Sequence, residues 1–135
     1  MSAPRRYTIA VDFDGVLHSY TSSWVAPHVI PDPPVPGAIE WLNDISRHFD
    51  VVIFTTRGKT WRGRRAVARW LWENGYSYCL RHSEPECWAD LDITVTDRKP
   101  AALVYVDDRA FRFNGTNFPG RDEIHMARPW NKVLR

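Results

Sequence analysis

The sequence predicts an α/β fold, a parallel sheet with flanking helices, formed by a single domain over residues 1–135. Short apolar runs rich in β-branched residues alternate with amphipathic helical patterns, and this alternation is typical of parallel sheets with helical crossovers. Polar side chains directly follow three of the runs, which places them at one edge of such a sheet. With 135 residues the chain can bury one substantial core but is too short for two.

Four strands and two helices account for most of the pattern. The strands are short apolar or alternating segments, and Ile39 and Leu42 recur at helical spacing in the first helix. In the second helix apolar residues share one face, while Arg62, Arg65 and Arg69 share the other. The predicted strands cover residues 7–11, 51–54, 92–96 and 102–106, and the predicted helices cover residues 36–48 and 60–74.

The segments between these elements carry loop and turn signals. Residues 13–36 contain clustered prolines and predict a long loop. An Asn-Gly pair between alternating aromatic residues predicts a β-hairpin over residues 111–118. The remaining predictions are a flap strand over residues 24–30, a short strand over 78–80 and a tail that packs back on the body through Trp130.

Composition and charge argue against several classes of protein. Hydrophobic residues make up 44% and charged residues 25%, and the net charge of +2 gives no global argument for nucleic acid. No apolar run approaches the roughly 20 residues of a membrane span, and acidic residues interrupt the first apolar stretch, so neither a membrane segment nor a signal peptide is expected. Cys79 and Cys87 are expected to be reduced thiols of a cytoplasmic protein. The oligomeric state is left open.

Three predicted strands end in polar residues that we expect to meet at one edge of a Rossmann-like sheet. Asp12 and Asp14 follow the first strand, Thr55 and Thr56 follow the second, and Asp107-Asp108 follows the fourth. Two carboxylates at positions i and i+2 beyond a buried strand repel each other unless a cation or a shared proton compensates. A hard divalent ion such as Mg²⁺ suits these oxygen ligands. The alternative interpretation is a solvated Asp-x-Asp turn.

The residue types at this edge suit phosphoryl chemistry. Carboxylates, hydroxyl groups and the nearby Lys99 can neutralise and orient the charged oxygens of a phosphoryl group. An aspartate can attack phosphorus and form an acyl-phosphate. A second carboxyl two residues further can protonate the leaving oxygen and then deprotonate the water that hydrolyses the intermediate.

Four segments resemble, in order, the signatures of the haloacid dehalogenase-like (HAD-like) phosphohydrolases. Val11–Val16 resembles the first signature, Asp-x-Asp-Gly after a hydrophobic strand, and Ile53–Thr56 resembles the second, a strand that ends in Thr or Ser. Lys99 is the candidate for the third signature, and Val104–Asp108 resembles the fourth in its double-Asp form. The resemblance spans residues 7–109 and implies a HAD-like fold. Lys99 lies closer to the fourth signature than is common in the family, and the short intervening segments imply a member without a cap domain.

The resemblance implies a role for each matching residue. Asp12 would be the nucleophile and a magnesium ligand, and Asp14 would be the acid/base, with its backbone carbonyl also binding the metal. The other implied roles are a phosphate contact for Thr55, charge balance for Lys99, and metal binding for Asp108 and Asp107. The family resemblance therefore implies a magnesium-dependent phosphomonoesterase that acts through an aspartyl-phosphate intermediate.

A basic segment after the second signature indicates where a substrate binds. We predict substrate contacts for Thr56, Arg57 and Arg62, and an open site without a cap suits a nucleotide, a nucleic-acid end or a phosphoprotein, of which the first two are favoured. The Asp-Asp-Arg ending of the fourth signature also resembles deoxyribonucleotidases and polynucleotide 3′-phosphatase domains. Three alternatives stay open: a basic helix face that is only solvated, a Lys99 that is solvated in a turn, and a non-catalytic module that binds phosphate or metal with the same fold.

Overall fold

The computed structural model describes residues 6–79 and 85–131, and within them it contains one four-stranded sheet and three α-helices. The strands are β1 (Thr8–Asp12), β2 (Asp50–Phe54), β3 (Thr94–Thr96) and β4 (Val104–Val106), and the helices are α1 (Ala38–Ser46), α2 (Trp61–Glu73) and α3 (Arg121–Met126). Short 3-10 helices at Thr56–Lys59 and Trp88–Asp90 precede α2 and β3. The four main strands and two helices that the sequence predicts are present with ends shifted slightly, and α3 lies in the tail, where no element is predicted.

The sheet is entirely parallel, with the strand order β3-β2-β1-β4. Val11 of β1 lies opposite Ile53 of β2 and Val106 of β4. The predicted α/β architecture with a parallel sheet is therefore confirmed. Because these parallel strands end in register, the polar residues that follow them emerge at one edge of the sheet.

The core lies between one face of the sheet and helices α1 and α2. Side chains alternate along a strand, so Ile9, Val11 and Ile53 point to the same face, and all three are buried. Leu42 of α1 and Leu71 of α2 belong to the same buried cluster. Burial of one such side chain contributes about 1.5–3 kcal/mol. This apolar layer fixes the two central strands and hence the positions of their ends.

The connection from β3 to β4, residues 97–103, lies entirely within the described residues and contains no helix. It is tied to β1, because the Leu103 N–H donates to the Thr8 carbonyl at 2.8 Å. The sheet face opposite the core is only partly covered as a result, and Tyr105 on that face is 40% exposed. The described helices α1 and α2 thus flank one face of the sheet.

Helix α2 begins at a side-chain cap that also fixes the preceding turn. The Thr60 hydroxyl accepts a hydrogen bond from the Gly63 N–H at 3.0 Å, which satisfies a donor of the first turn. A Cβ at Gly63 would lie 2.0 Å from the Arg57 carbonyl oxygen, so only glycine fits here. The start of α2 is therefore held against the 3-10 helix that follows β2. At its other end α2 stops before Gly75, whose φ is 104°, as the Asn-Gly pair predicts.

The predicted hairpin over residues 111–118 is wrong, since these residues form no strand. The Asn-Gly pair does turn the chain: Asn114 Oδ1 accepts hydrogen bonds from the backbone N–H groups of Thr116 and Asn117 at 3.0 and 2.9 Å. These side-chain contacts satisfy backbone donors that a strand ladder would otherwise use. The rings of Phe113 and Phe118 then contact each other across the turn, with centroids 4.7 Å apart.

The remaining loop predictions have mixed outcomes. The flap strand over residues 24–30 is wrong, because carbonyls of this segment accept hydrogen bonds from an arginine side chain instead of a neighbouring strand. In the predicted strand 78–80, Tyr78 and Cys79 lie outside any strand, and residue 80 lies outside the described residues. The tail packs back as predicted, since Trp130 Nε1–H donates to the Gly15 carbonyl at 2.6 Å. Both cysteines are free thiols.

Candidate active site

The sheet edge where the strands end carries a cluster of three carboxylates. Asp12 is the last residue of β1, and Asp107 and Asp108 directly follow β4, which is the neighbour of β1 in the sheet. One carboxylate oxygen from each of the three residues lies within 4.8 Å of the others. Three of the four predicted metal ligands are therefore brought together.

Gly15 makes the close approach of these carboxylates possible. Its φ of 87° lies in the left-handed region, which glycine adopts without the steric cost that other residues meet. A Cβ at this position would lie 2.3 Å from Oδ2 of Asp108. The glycine of the Asp-x-Asp-Gly segment is thus needed both for the turn after Asp14 and for the room beside Asp108.

The carboxylates of Asp12, Asp107 and Asp108 are close enough to repel one another, and the Asp12 carboxylate is partly buried. Burial is the main cause that raises the pKa of the Asp12 carboxyl to about 7, and the charges of Asp107 and Asp108 act in the same direction. A hydrogen bond from the Phe13 N–H to Asp12 Oδ1, at 2.8 Å, opposes this rise of the pKa.

Asp108 supplies a further sign that the cluster fits a cation. Its Oδ1 is buried and has no hydrogen-bond partner within the described part of the chain. A buried carboxylate oxygen without a donor costs free energy that a bound cation can offset. The donor set of carboxylate oxygens fits a hard divalent cation such as Mg²⁺.

Asp14, the fourth predicted ligand, has its carboxylate held by two other side chains. Arg57 Nε donates to both carboxylate oxygens, at 2.9 and 3.1 Å. His18 Nδ1 lies 2.8 Å from Oδ1 of Asp14, and the Asp32 N–H donates to His18 Nε2 at 3.1 Å. Since Nε2 accepts, the ring proton is assigned to Nδ1, which donates to Asp14. These contacts fix the orientation of the Asp14 carboxylate next to the cluster.

Arg57 does not occupy the exposed position that a substrate contact would require. Its side chain is only 1% exposed. Its Nη1 donates to three backbone carbonyls of residues 24–30, which we call the flap, at 2.9, 3.0 and 3.1 Å. The guanidinium carbon lies 4.5 Å from the centroid of the Trp24 ring. Arg57 therefore joins Asp14 to the flap, and its Nε and Nη1 donors are both engaged by protein groups.

A pocket of about 310 Å³ opens at this edge of the sheet, and we call it the carboxylate pocket. Its walls combine carboxylates with two threonines and three aromatic residues. Its lining residues are Asp12, Asp14, Tyr20, Trp24, Phe54, Thr55, Thr56, Asp97, Asp107 and Arg109. Thr55 precedes the 3-10 helix after β2, and its hydroxyl accepts a hydrogen bond from the Arg57 N–H at 3.2 Å. The volume lies at the lower end of the range for small-molecule sites.

Asp97 and Arg109 also line this pocket, and neither is among the site residues predicted from the sequence. Asp97 is the first residue after β3, and Arg109 follows the acidic pair after β4. The strand-end rule that located the other site residues applies to both of them. Lys99, in contrast, lies outside the described lining of the pocket: it is exposed, and its Nζ lies 4.9 Å from the centroid of the Tyr105 ring. Arg109 therefore supplies the positively charged side chain at the pocket that the sequence predicts for Lys99.

Arg62 lines a second pocket, of about 470 Å³, on the exposed face of α2. Arg65 and Arg69 line it as well, as predicted for one face of this helix. His28 and Ile30 of the flap also line it. The basic face of α2 is therefore part of a groove beside the flap, which we call the α2 groove, and is separate from the carboxylate pocket.

Comparisons with known proteins do not assign this chain to a family. No protein-family model, no curated protein and no solved structure matches it. Across residues 6–79 and 85–131, every helix is too short or too polar to traverse a lipid bilayer. The class of protein has to be inferred from the fold and from the arrangement of the carboxylates.

Proposed function

We propose that this protein is a phosphomonoesterase that depends on a divalent cation, resembles the HAD-like phosphohydrolases and has no cap domain. The observation that carries the proposal is the group formed by Asp12, Asp107 and Asp108 at the ends of parallel strands, next to a separately oriented Asp14. Phosphoryl transfer requires charge neutralisation, a nucleophile and a proton carrier. These carboxylates supply a nucleophile, a proton carrier and the ligands for a cation that neutralises charge.

We propose Mg²⁺ as the cofactor. The carboxylates of Asp12, Asp107 and Asp108 would hold it, together with the backbone carbonyl of Asp14 that the family resemblance implies. When bound, the ion would neutralise carboxylate and phosphoryl oxygens and so stabilise the charge that develops around phosphorus. The raised pKa of Asp12 supports this need for a cation, since only the ionised carboxylate can attack.

In the first step a carboxylate oxygen of Asp12 attacks phosphorus while the bond between phosphorus and the ester oxygen breaks. The electron pair of that bond leaves on the ester oxygen, which takes a proton from Asp14 and departs as the alcohol. An aspartyl-phosphate remains on Asp12. Arg57 and His18 keep the Asp14 carboxyl oriented during this transfer.

In the second step Asp14, now ionised, accepts a proton from water as the water oxygen attacks phosphorus. The bond between phosphorus and the Asp12 oxygen breaks, which releases inorganic phosphate and restores the Asp12 carboxylate. Asp14 is protonated again and is ready to serve the next leaving group. One proton carrier thus serves both steps.

The proposed substrate is a nucleotide or a nucleic-acid end. The hydroxyls of Thr55 and Thr56 line the carboxylate pocket and would contact phosphoryl oxygens. We assign to Arg109, which lines the same pocket, the charge-balancing role that the resemblance implies for Lys99. The cytoplasm is the proposed compartment because it keeps free thiols reduced.

Hydrolysis of an aryl phosphate tests this function. We expect turnover with Mg²⁺ that is lost in excess chelator and abolished in Asp12→Asn, because an amide cannot attack phosphorus. Asp44→Asn, which changes an exposed carboxylate on α1, is the matched control and should keep full activity. Full activity in chelator would refute the metal dependence. Cation binding without turnover of nucleotides, phosphorylated oligonucleotides and aryl phosphate would favour the non-catalytic module.

A further inference from the structure

We infer that the α2 groove binds a single strand of nucleic acid and presents its phosphorylated end to the carboxylate pocket. The delivery of that end rests on the proposed function. The binding itself requires neither the cation nor Asp12, and it is carried by the cations, the aromatic rings and the shape of the groove.

The cations of the groove form a row along α2. Arg62, Arg65 and Arg69 lie on its exposed face, and the helical rise of about 1.5 Å per residue spaces them by roughly 4.5 and 6 Å along the axis. Arg69 forms an ion pair with Glu73 at 3.0 Å. Neither Arg62 nor Arg65 forms an ion pair with a carboxylate in the described ranges. Two guanidinium groups therefore remain available for phosphates.

Arg65 is held between two indole rings. Its guanidinium carbon lies 5.1 Å from the Trp61 ring centroid and 5.0 Å from the Trp88 ring centroid. Such cation–π contacts restrict an exposed arginine and direct its donors. Trp61 itself remains 66% exposed, so the indole offers further surface to a ligand. An exposed indole beside cations in a groove is the combination on which bases stack in proteins that bind single strands.

The groove and the carboxylate pocket are neighbours. Trp24 of the flap lines the pocket, while His28 and Ile30 of the same segment line the groove. On the other side Thr56 lines the pocket and Trp61 lines the groove, and the 3-10 helix that begins at Thr56 and ends two residues before Trp61 spans roughly 8 Å at about 2 Å per residue. A nucleic-acid end bound in the carboxylate pocket therefore needs only a short length of single strand to reach Trp61.

The chemistry of the groove favours nucleic acid over other polyanions. The net charge of the chain is only +2, so the cations of the groove are a local feature and not part of a generally basic surface. An acidic peptide or an anionic lipid surface would use the arginines but would not require an exposed, planar Trp61 beside them. A base-bearing strand uses both, since its phosphates contact guanidinium groups while a base stacks on the indole.

Fluorescence anisotropy with a labelled oligothymidine tests the groove without catalysis. The oligonucleotide carries no terminal phosphate, and excess chelator is present throughout, so cation binding and turnover are removed from the measurement. The groove variants are Trp61→Ala, Arg62→Gln and Arg62→Gln/Arg65→Gln. The matched control is Arg47→Gln/Arg112→Gln, which removes the same charge from exposed positions outside the groove. Circular dichroism establishes that each variant is folded, and Arg62→Gln changes only an exposed side chain.

We expect the wild type and Asp12→Asn to bind the oligonucleotide equally well. Trp61→Ala should weaken binding roughly tenfold or more, through the loss of one stacked base. The double arginine variant should bind the oligonucleotide more weakly by a similar factor. It should also lower the slope of the logarithm of the binding constant against the logarithm of the salt concentration by roughly 1.4, since each phosphate contact of a single strand contributes about 0.7 to that slope. The control should bind like the wild type.

Three results would overturn the groove as a nucleic-acid site. They are no binding, an equal loss of binding in the control variant, or unchanged binding in Trp61→Ala together with inorganic polyphosphate that competes as strongly as unlabelled oligothymidine.

Delivery of the phosphorylated end is tested by the Michaelis constant. Arg62→Gln/Arg65→Gln should raise it for a phosphorylated oligonucleotide and leave it unchanged for an aryl phosphate. Equal changes for both substrates would refute delivery. Groove-dependent binding without any turnover would refute the proposed function and the delivery, but not the binding site.

Discussion

Replacement of Asp12 by Asn should make the metal-free protein more stable at pH 8, although it removes the proposed nucleophile. The pKa of Asp12 rises from an ordinary value of 3.8 to about 7 in the folded protein. The folded state therefore holds this proton more tightly than the unfolded chain does. The free energy of unfolding consequently decreases as the pH rises from about 4 to about 7, and the penalty is complete above pH 7. Asparagine has no charge to desolvate, so the variant should escape this penalty.

The size of the effect follows from the same pKa change. A rise from 3.8 to about 7 corresponds to about 4 kcal/mol at most, at about 1.4 kcal/mol per pKa unit. Solvent screening at this partly exposed site reduces the expected difference to about 1–3 kcal/mol. For a chain of 135 residues this corresponds to an increase of about 3–10 °C in Tm.

Thermal unfolding followed by circular dichroism, in excess chelator at pH 5 to 8, measures this difference. The Tm of Asp12→Asn should exceed that of the wild type by an amount that grows between pH 5 and pH 8, while the exposed-site control Asp44→Asn should follow the wild type. Mg²⁺ at pH 8 should then raise the Tm of the wild type more than that of Asp12→Asn, because a ligand of the folded state stabilises it. An Asp12→Asn variant no more stable than the wild type at pH 8 would refute the claim that burial and the neighbouring carboxylates destabilise the ionised Asp12.

Three further substitutions test the parts of the site separately. Asp14→Asn should slow hydrolysis of an aryl phosphate by ~10²-fold or more while leaving cation binding partly intact in calorimetry, and near-normal turnover would contradict its acid/base role. Arg57→Lys should lower the free energy of unfolding in urea by about 2–4 kcal/mol, because one ammonium group cannot replace the donors that Arg57 gives both to Asp14 and to the flap carbonyls, and should reduce kcat more than KM; an unchanged kcat in the folded variant would argue against positioning. Gly15→Ala should destabilise the protein and weaken cation binding, since its Cβ would meet Asp108 at 2.3 Å. Gly37→Ala has a similar φ of 83° with nothing within 4 Å, so it should cost only about 1 kcal/mol and leave cation affinity unchanged.

The sheet and the location of the site are predictable from the sequence because both follow from local rules. Short β-branched runs such as Val51–Phe54 have few stable alternatives to a buried strand. Once the strands are parallel, their carboxyl ends share one edge, and Asp12 and Asp107 are neighbours there because β4 pairs with β1. The same rule points to Asp97, the first residue after β3, and to Arg109, the residue after the acidic pair.

The burial and pairing of the Arg57 side chain depend on contacts with residues distant in the sequence, which local sequence rules do not predict. An arginine just after a strand end resembles a ligand contact, yet this one is buried by a flap about 30 residues earlier and paired with Asp14, 43 residues away. The position of Lys99 has a similar origin, since the chain turns back toward β4 directly after β3. The failed hairpin over residues 111–118 shows the complementary limit: Asn-Gly specifies a turn, but strand pairing also needs a place in the sheet.

Chemical trapping of a phosphoenzyme tests the central claim most directly. Asp14→Asn should slow hydrolysis of the intermediate, so an acid quench of this variant with Mg²⁺ and an aryl phosphate should preserve one phosphoryl group on the protein. We predict that mass spectrometry locates this group on Asp12, that hydroxylamine removes it as expected for an acyl-phosphate, and that chelator prevents its formation. A phosphoryl group on any other residue, or turnover by the wild type with no trapped phosphoenzyme in either protein, would contradict the proposed role of Asp12.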